Sequence, residues 1–204
     1  MGVRFVSSLP APISLSTPAY WEEACLHLSC KDRVMKRLIP QFGDACLQSR
    51  GDAFTTLARS IVGQQISVKA AQTVWERFTE VVRRSRAARP ETRSAWTGSA
   101  ARKTAAVTSI SPARVLKLKV DDMQAAGLSA RKIEYLVDLA LHFDSGAIHV
   151  DAWKTMTDDE IIAELVGIRG IGRWTAEMFL IFHLLRPNVL PLDDIGLLNG
   201  ISRN

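Results

Sequence analysis

The chain has 204 residues, 47% hydrophobic and 23% charged, which suits one globular domain or two small lobes with a real core. The longest apolar stretch, Met178 to Leu185, contains His183 and is too short to cross a bilayer, and Met1 to Leu15 lacks the apolar core of a secretory signal. The net charge of +5 comes from one place: seven cations between residues 83 and 103 face Glu91 alone, so that stretch carries +6 and the rest of the chain −1. The basic balance is therefore no argument for a basic face on the folded body. Three cysteines, Cys25, Cys30 and Cys46, sit at no metal-ligand spacing, which argues against a disulfide scaffold and for a reducing, cytoplasmic compartment.

In chain order, a first helical stripe falls at Phe54, Leu57, Ala58, Ile61 and Val62. A second runs through Val68, Ala71, Trp75, Phe78 and Val82, with Ser67 placed to cap its start. Residues 83–106 contain no Ile, Leu, Val, Met or Phe, so 83–111 reads as a loop or disordered insertion: a solvated insertion first, a cationic DNA-contacting arm second. After Gly127-Leu128-Ser129 comes a third stripe of Ile133, Leu136, Val137 and Ala140. Ile148–Trp153 is the longest strand-like alternation. A capping box, Thr157-x-x-Glu160, opens a fourth helix through Ile161, Ile162, Leu165 and Val166. A fifth, from Arg173 to about Leu185, is apolar nearly all round and reads as a central buried helix. The expected class is all-α, an orthogonal helical array in a single domain over 1–204. The four histidines do not cluster with cysteines or paired carboxylates, so each reads as structural and no metal site is expected.

The most informative segment is Val166-Gly167-Ile168-Arg169-Gly170-Ile171-Gly172-Arg173-Trp174-Thr175-Ala176. Three glycines join two helices, and the N–H groups of Gly170, Gly172 and Arg173 are left free at a helix start. Free amides and the helix dipole together suit a phosphate without any basic side chain. Gly167, Gly170, Gly172 and Arg173 form this candidate hairpin. Read alone, the same glycines could serve only a tightly packed helix–turn–helix corner.

The hairpin string resembles that of the helix-hairpin-helix (HhH-GPD) DNA glycosylases. Leu190-Pro191-Leu192-Asp193-Asp194-Ile195-Gly196 is similar to the loop that holds their catalytic aspartate. Ile61-Val62-Gly63-Gln64-Gln65-Ile66-Ser67 resembles the helix-pair tip that enters the minor groove, and Gly127-Leu128-Ser129-x-x-Lys132-x-x-Tyr135-Leu136 also matches. The closest branch is DNA-3-methyladenine glycosylase II. The resemblance implies two helical lobes around a DNA-binding cleft; family members continue with further helices, which are expected to be absent here after Asn204.

It also implies the chemistry. Trp174 stands where strand-cleaving members carry a Schiff-base lysine, which implies a monofunctional hydrolase that leaves an abasic site. No cysteine follows Cys46, so no iron–sulfur cluster is expected; a structural Na⁺ or K⁺ on hairpin carbonyls is suggested. Asp194 is assigned to the sugar cation and the attacking water, with Asp193 supporting it; adjacent carboxylates would raise each other's pKa if both faced inward. Read alone, the pair would be an N-cap before Ile195–Leu198. An alkylated purine is cationic and stacks on electron-rich rings, so the base pocket is assigned to Trp174, with Tyr20, Trp21 and Phe179 as weaker candidates that also read as core. Gln65, with Gln64 beside it, is the minor-groove wedge filling the gap left by a flipped base; a solvated polar turn is the other reading. The expected partner is double-stranded DNA with alkylated bases, bound by a monomer that is cytoplasmic (nucleoid-associated in a bacterium) and makes no membrane contact. The alternative is a non-catalytic helix-hairpin-helix module that binds lesions or duplex backbone.

Overall fold

A computed structural model describes residues 17–43, 45–49, 51–87 and 110–203, and every regular element among them is helical. The chain divides into two compact units, Met1–Ser49 and Arg50–Asn204. In the first unit, α1 spans Trp21–Lys31, α2 spans Arg33–Leu38, and a 3₁₀ turn covers Ile39–Phe42. The Asp32 carboxylate accepts from the Met35 amide at 2.7 Å and caps α2. None of these elements contains a fully buried residue. Their inner residues are only half-buried, so the apolar stripe they leave in the sequence is weak.

The second unit contains α3 (Ala53–Gly63), α4 (Val68–Ala87), α5 (Pro112–Val115), α6 (Val120–Ala125) and α7 (Ala130–Asp144). After a 3₁₀ turn at Ala152–Lys154 come α8 (Asp158–Val166), α9 (Arg173–Phe182) and α10 (Ile195–Ser202). The stripe at Phe54, Leu57, Ala58, Ile61 and Val62 is fully buried. In α4, Trp75, Phe78 and Val82 are buried while Val68 is 89% exposed, because the first turn projects beyond the core. Ser67 Oγ accepts from the Ala70 amide at 3.3 Å, so the expected cap is present. Both bonds of the Thr157–Glu160 capping box form. Trp153 meets Phe179 edge to face at 5.3 Å between centroids, tying the 3₁₀ turn to α9.

Three boundaries differ from expectation. Residues 83–87, assigned to a loop, continue α4. Arg83 and Arg84 both reach back to Glu80, at 2.7 and 2.8 Å, and these guanidinium contacts pull its carboxyl down to about 2. At the other end Ile110 is 2% exposed and Ser111 precedes α5, so neither belongs to a solvated insertion; 88–109 lie outside the described residues. Helix α9 stops at Phe182 and not near Leu185. Leu185 adopts φ +55°, and the Arg186 amide donates back to the Leu180 carbonyl at 2.9 Å, closing the helix before Pro187. Ile148–Trp153 forms no strand; Ile148 and Trp153 point inward around the 3₁₀ turn.

Three histidines make structural contacts. His142 Nδ1 lies 2.9 Å from the Asp138 carbonyl, and His183 stacks on Phe179 at 4.5 Å. His149 Nδ1 is 2.7 Å from Glu164, whose other oxygen accepts the Trp153 indole at 2.6 Å. Burial pushes the Glu164 carboxyl up, but the bonds from Trp153 and His149 outweigh it and the net displacement is downward.

Candidate active site

The hairpin between α8 and α9 is plugged into the core by Ile168 and Ile171, 1% and 4% exposed. The Ile171 amide donates to the Ile168 carbonyl at 3.1 Å and folds the turn on itself. Gly170 sits at φ +85°, and a Cβ there would fall 2.2 Å from Cδ2 of Tyr135. Glycine is thus required twice, for the backbone conformation and for the ring beneath it. Gly172 precedes α9 in an extended conformation with no side chain capping the helix. By contrast α3, α7, α8 and α10 are capped by Asp52, Ser129, Thr157 and Asp194. The amides of α9's first turn thus face outward with the positive end of the helix dipole. The Arg173 side chain adds little to them, because it pairs with Glu177 at 3.0 Å and lies 3.7 Å from Asp159. Gly167 has an ordinary helical φ of −62° and ends α8.

The turn between α3 and α4 is bound to this hairpin. Gln64 Nε2 donates to the Gly170 carbonyl at 2.8 Å. Its amide is a strut within the protein, so the expectation that it helps fill a gap in the duplex is corrected. Gln65 is exposed and held at φ +59°, at the tip of the turn. Lys132 Nζ donates to the Val62 carbonyl at 2.7 Å, near the end of α3, and burial pushes its ammonium pKa down. Gln64, Gln65, Ser129, Lys132, Tyr135 and Gly170 surround a recess of roughly 330 Å³ beside the hairpin. The sequence motif around Lys132 and Tyr135 carried no assigned role. Their spacing of three places both on one face of α7, Lys132 supporting the turn and Tyr135 supporting Gly170.

Asp194 caps α10. Its Oδ1 accepts from the Leu197 amide at 2.7 Å, and its Oδ2 accepts from the Trp174 indole at 2.9 Å. These bonds, the Leu197 amide contributing most, and a weaker one from the Gly196 amide hold its carboxyl below the usual range. The concern that paired carboxylates would raise each other does not apply to Asp194, since Asp193 faces solvent. The N-cap reading and the site reading of Asp194 thus coincide in one side chain. Trp174 is 46% exposed, so part of its ring is open beside the carboxylate.

The remaining pocket candidates separate. Phe179 is 3% exposed and packed between Trp153 and His183; it is a core residue and is withdrawn from the pocket. Tyr20 and Trp21 lie half-buried at the start of α1, in the N-terminal unit. Among the described residues no group of three or more His, Cys, Asp or Glu side chains could hold a metal ion. A monovalent cation on the hairpin would need backbone carbonyls, of which Ile168 and Gly170 already accept hydrogen bonds. No described helix is long and apolar enough to cross a membrane.

The family model for the HhH-GPD superfamily base excision DNA repair protein matches residues 58–204. DNA-3-methyladenine glycosylase 1 of Schizosaccharomyces pombe is 31% identical over 182 residues, covering 87% of this chain and 70% of that protein. A DNA-3-methyladenine glycosidase structure from Bacillus halodurans superposes with a TM-score of 0.69 at 27% identity, covering 88% of this chain and 72% of that one. The 3-methyladenine DNA glycosylase Mag1 of Schizosaccharomyces pombe, solved with abasic DNA, superposes at 0.65 with 30% identity, covering 88% and 79%.

Proposed function

The chain belongs to the HhH-GPD superfamily of base excision DNA repair proteins, and we propose that it hydrolyses the N-glycosidic bond of alkylated, 3-methyladenine-like purines in duplex DNA. The observation that carries this reading is the ionised Asp194 carboxylate held 2.9 Å from an exposed tryptophan, on the helix that leaves an uncapped hairpin. The relatives named as 3-methyladenine glycosylases, one of them bound to abasic DNA, support the same substrate class.

The α9 amides and Gly172 hold a backbone phosphate, and Gln65 enters the space left by the flipped nucleotide. The Trp174 ring takes the cationic base, a contact worth about 0.5–2 kcal/mol. The C1′–N bond then breaks, its electron pair leaves with the base, and positive charge builds on the sugar. Asp194 stabilises that charge; water adds at C1′ and loses its proton, giving an abasic site. With Trp174 in place of a lysine, no Schiff base forms and the strand is not cut. The protein acts as a monomer in the compartment that holds the DNA.

The test is release of free bases from methylated duplex DNA by the purified chain, identified by mass, with Asp194→Asn as control. Wild type is expected to release 3-methyladenine, and the variant to lose about 100-fold or more in rate while still binding DNA. No release from folded, DNA-binding wild type would replace the hydrolase with the non-catalytic binding module.

A further inference from the structure

We propose that Trp174 is a positioning residue for Asp194, its indole N–H fixing the plane of the carboxylate that the proposed hydrolysis requires; this rests on that reading of the site. The reason lies in how unevenly the two helices are seated. Helix α9 is anchored by Thr175, Ala176, Phe179 and Leu180, all buried. Helix α10 contains no buried residue, and Ile195, the residue after Asp194, is 74% exposed. Packing therefore does little to hold Asp194 in place. Hydrogen bonds do. Leu197 fixes Oδ1 to α10 itself, and the Gly196 amide, also of α10, adds a weaker bond. Of these donors only Trp174, on Oδ2, reaches the carboxylate from a firmly packed element.

The chemistry of the donor suits the task. An indole N–H donates and does not titrate in the working range, so it orients an anion without adding a positive charge beside the developing sugar cation. With about four lone-pair directions, the carboxylate keeps one open for water or for the sugar. Gly196 closes the arrangement: a Cβ there would lie 3.1 Å from Oδ1, crowding the oxygen that Leu197 holds. Trp174 thus serves two purposes, a ring face for the base and an N–H for the carboxylate.

Trp174→Phe separates the two, since it keeps an aromatic face and deletes the donor. Single-turnover base release is measured against pH, with DNA affinity measured separately. The expected result is a rate loss of about tenfold or more with affinity within about threefold of wild type. The acid limb of the rate profile should also move to higher pH, because a donor to the charged form has been lost. An unchanged rate and acid limb, or a change confined to affinity, overturns the proposal and leaves Trp174 as a wall only. A second measurement covers a variant that fails to unfold cooperatively. In ¹⁵N-tryptophan-labelled wild type, one indole N–H resonance should shift through an acid titration, and that step should vanish in Asp194→Asn. No such resonance overturns the contact. Wild type that releases no base but shows the coupled resonance overturns the hydrolase and leaves the contact standing.

Discussion

At the scale of single residues, Gly170 and Gln65 carry opposite demands on the same kind of backbone. Both have positive φ, but Gly170 is a glycine over a tyrosine ring and Gln65 is a side-chain-bearing residue at an exposed tip. Gly170→Ala is expected to lower stability by about 3 kcal/mol, roughly 10 °C in Tm, through strain and the clash with Tyr135. Gln65→Gly is expected to leave Tm unchanged or raise stability by up to about 1 kcal/mol, because it relieves a left-handed glutamine. Base release should nevertheless fall in Gln65→Gly, since the wedge is gone. Thermal melts and base-release assays on the two variants check both expectations. A Gln65→Gly protein with full activity would show that the side chain does not enter the duplex.

At the scale of elements, the turn between α3 and α4, the α8–α9 hairpin and the start of α7 are stitched together by polar bonds across their ends. Gln64 links turn to hairpin, and Lys132 links α7 to the end of α3. Gln64→Ala should cost only about 1 kcal/mol in stability yet slow base release more than it weakens DNA binding, because wedge and phosphate site lose their common frame. Elsewhere, Glu164 joins α8 to the 3₁₀ turn through Trp153 and His149. Its carboxyl pKa is lowered by folding, so its contribution is complete above the unfolded-state value of about 4.3 and fades as pH falls through the folded value. The Tm gap between wild type and Glu164→Gln should therefore be widest above about pH 5 and shrink on acidification. A gap that stays constant into acid would mean the two forms bind Trp153 and His149 equally well.

At the scale of the whole molecule, the positive charge and the folded body are separate matters. The cations of 83–103 outweigh the net charge, and only Arg83 and Arg84 have described side chains, both paired with Glu80. Replacing residues 88–109 with a Gly/Ser linker of equal length should leave Tm and saturating base release unchanged. DNA affinity should fall chiefly at low salt, with a shallower dependence of log K on log salt. Loss of cooperative unfolding in that variant would place structural packing in the segment and overturn its reading as a solvated insertion.

The sequence by itself determined the helical class, the stripes that fill the core, the caps at Ser67 and Thr157, and the hairpin with its aspartate loop. Those signals are local: a helix records its buried face every three or four residues, and a cap or turn needs only a few neighbours. α1 and α2 escaped notice because helices whose inner residues are only half-buried record a weak face. Tertiary structure alone decided which of several similar side chains meet. Gln64 and Gln65 are adjacent and alike, yet one is tied to Gly170 and the other is exposed, because the turn reverses between them. Trp174 and Phe179 lie on one apolar helix, and only the packing of Trp153 and His183 buries the second and leaves the first open to Asp194. Contacts across 20 or 106 positions of chain depend on where whole helices come to rest, and no local pattern encodes that.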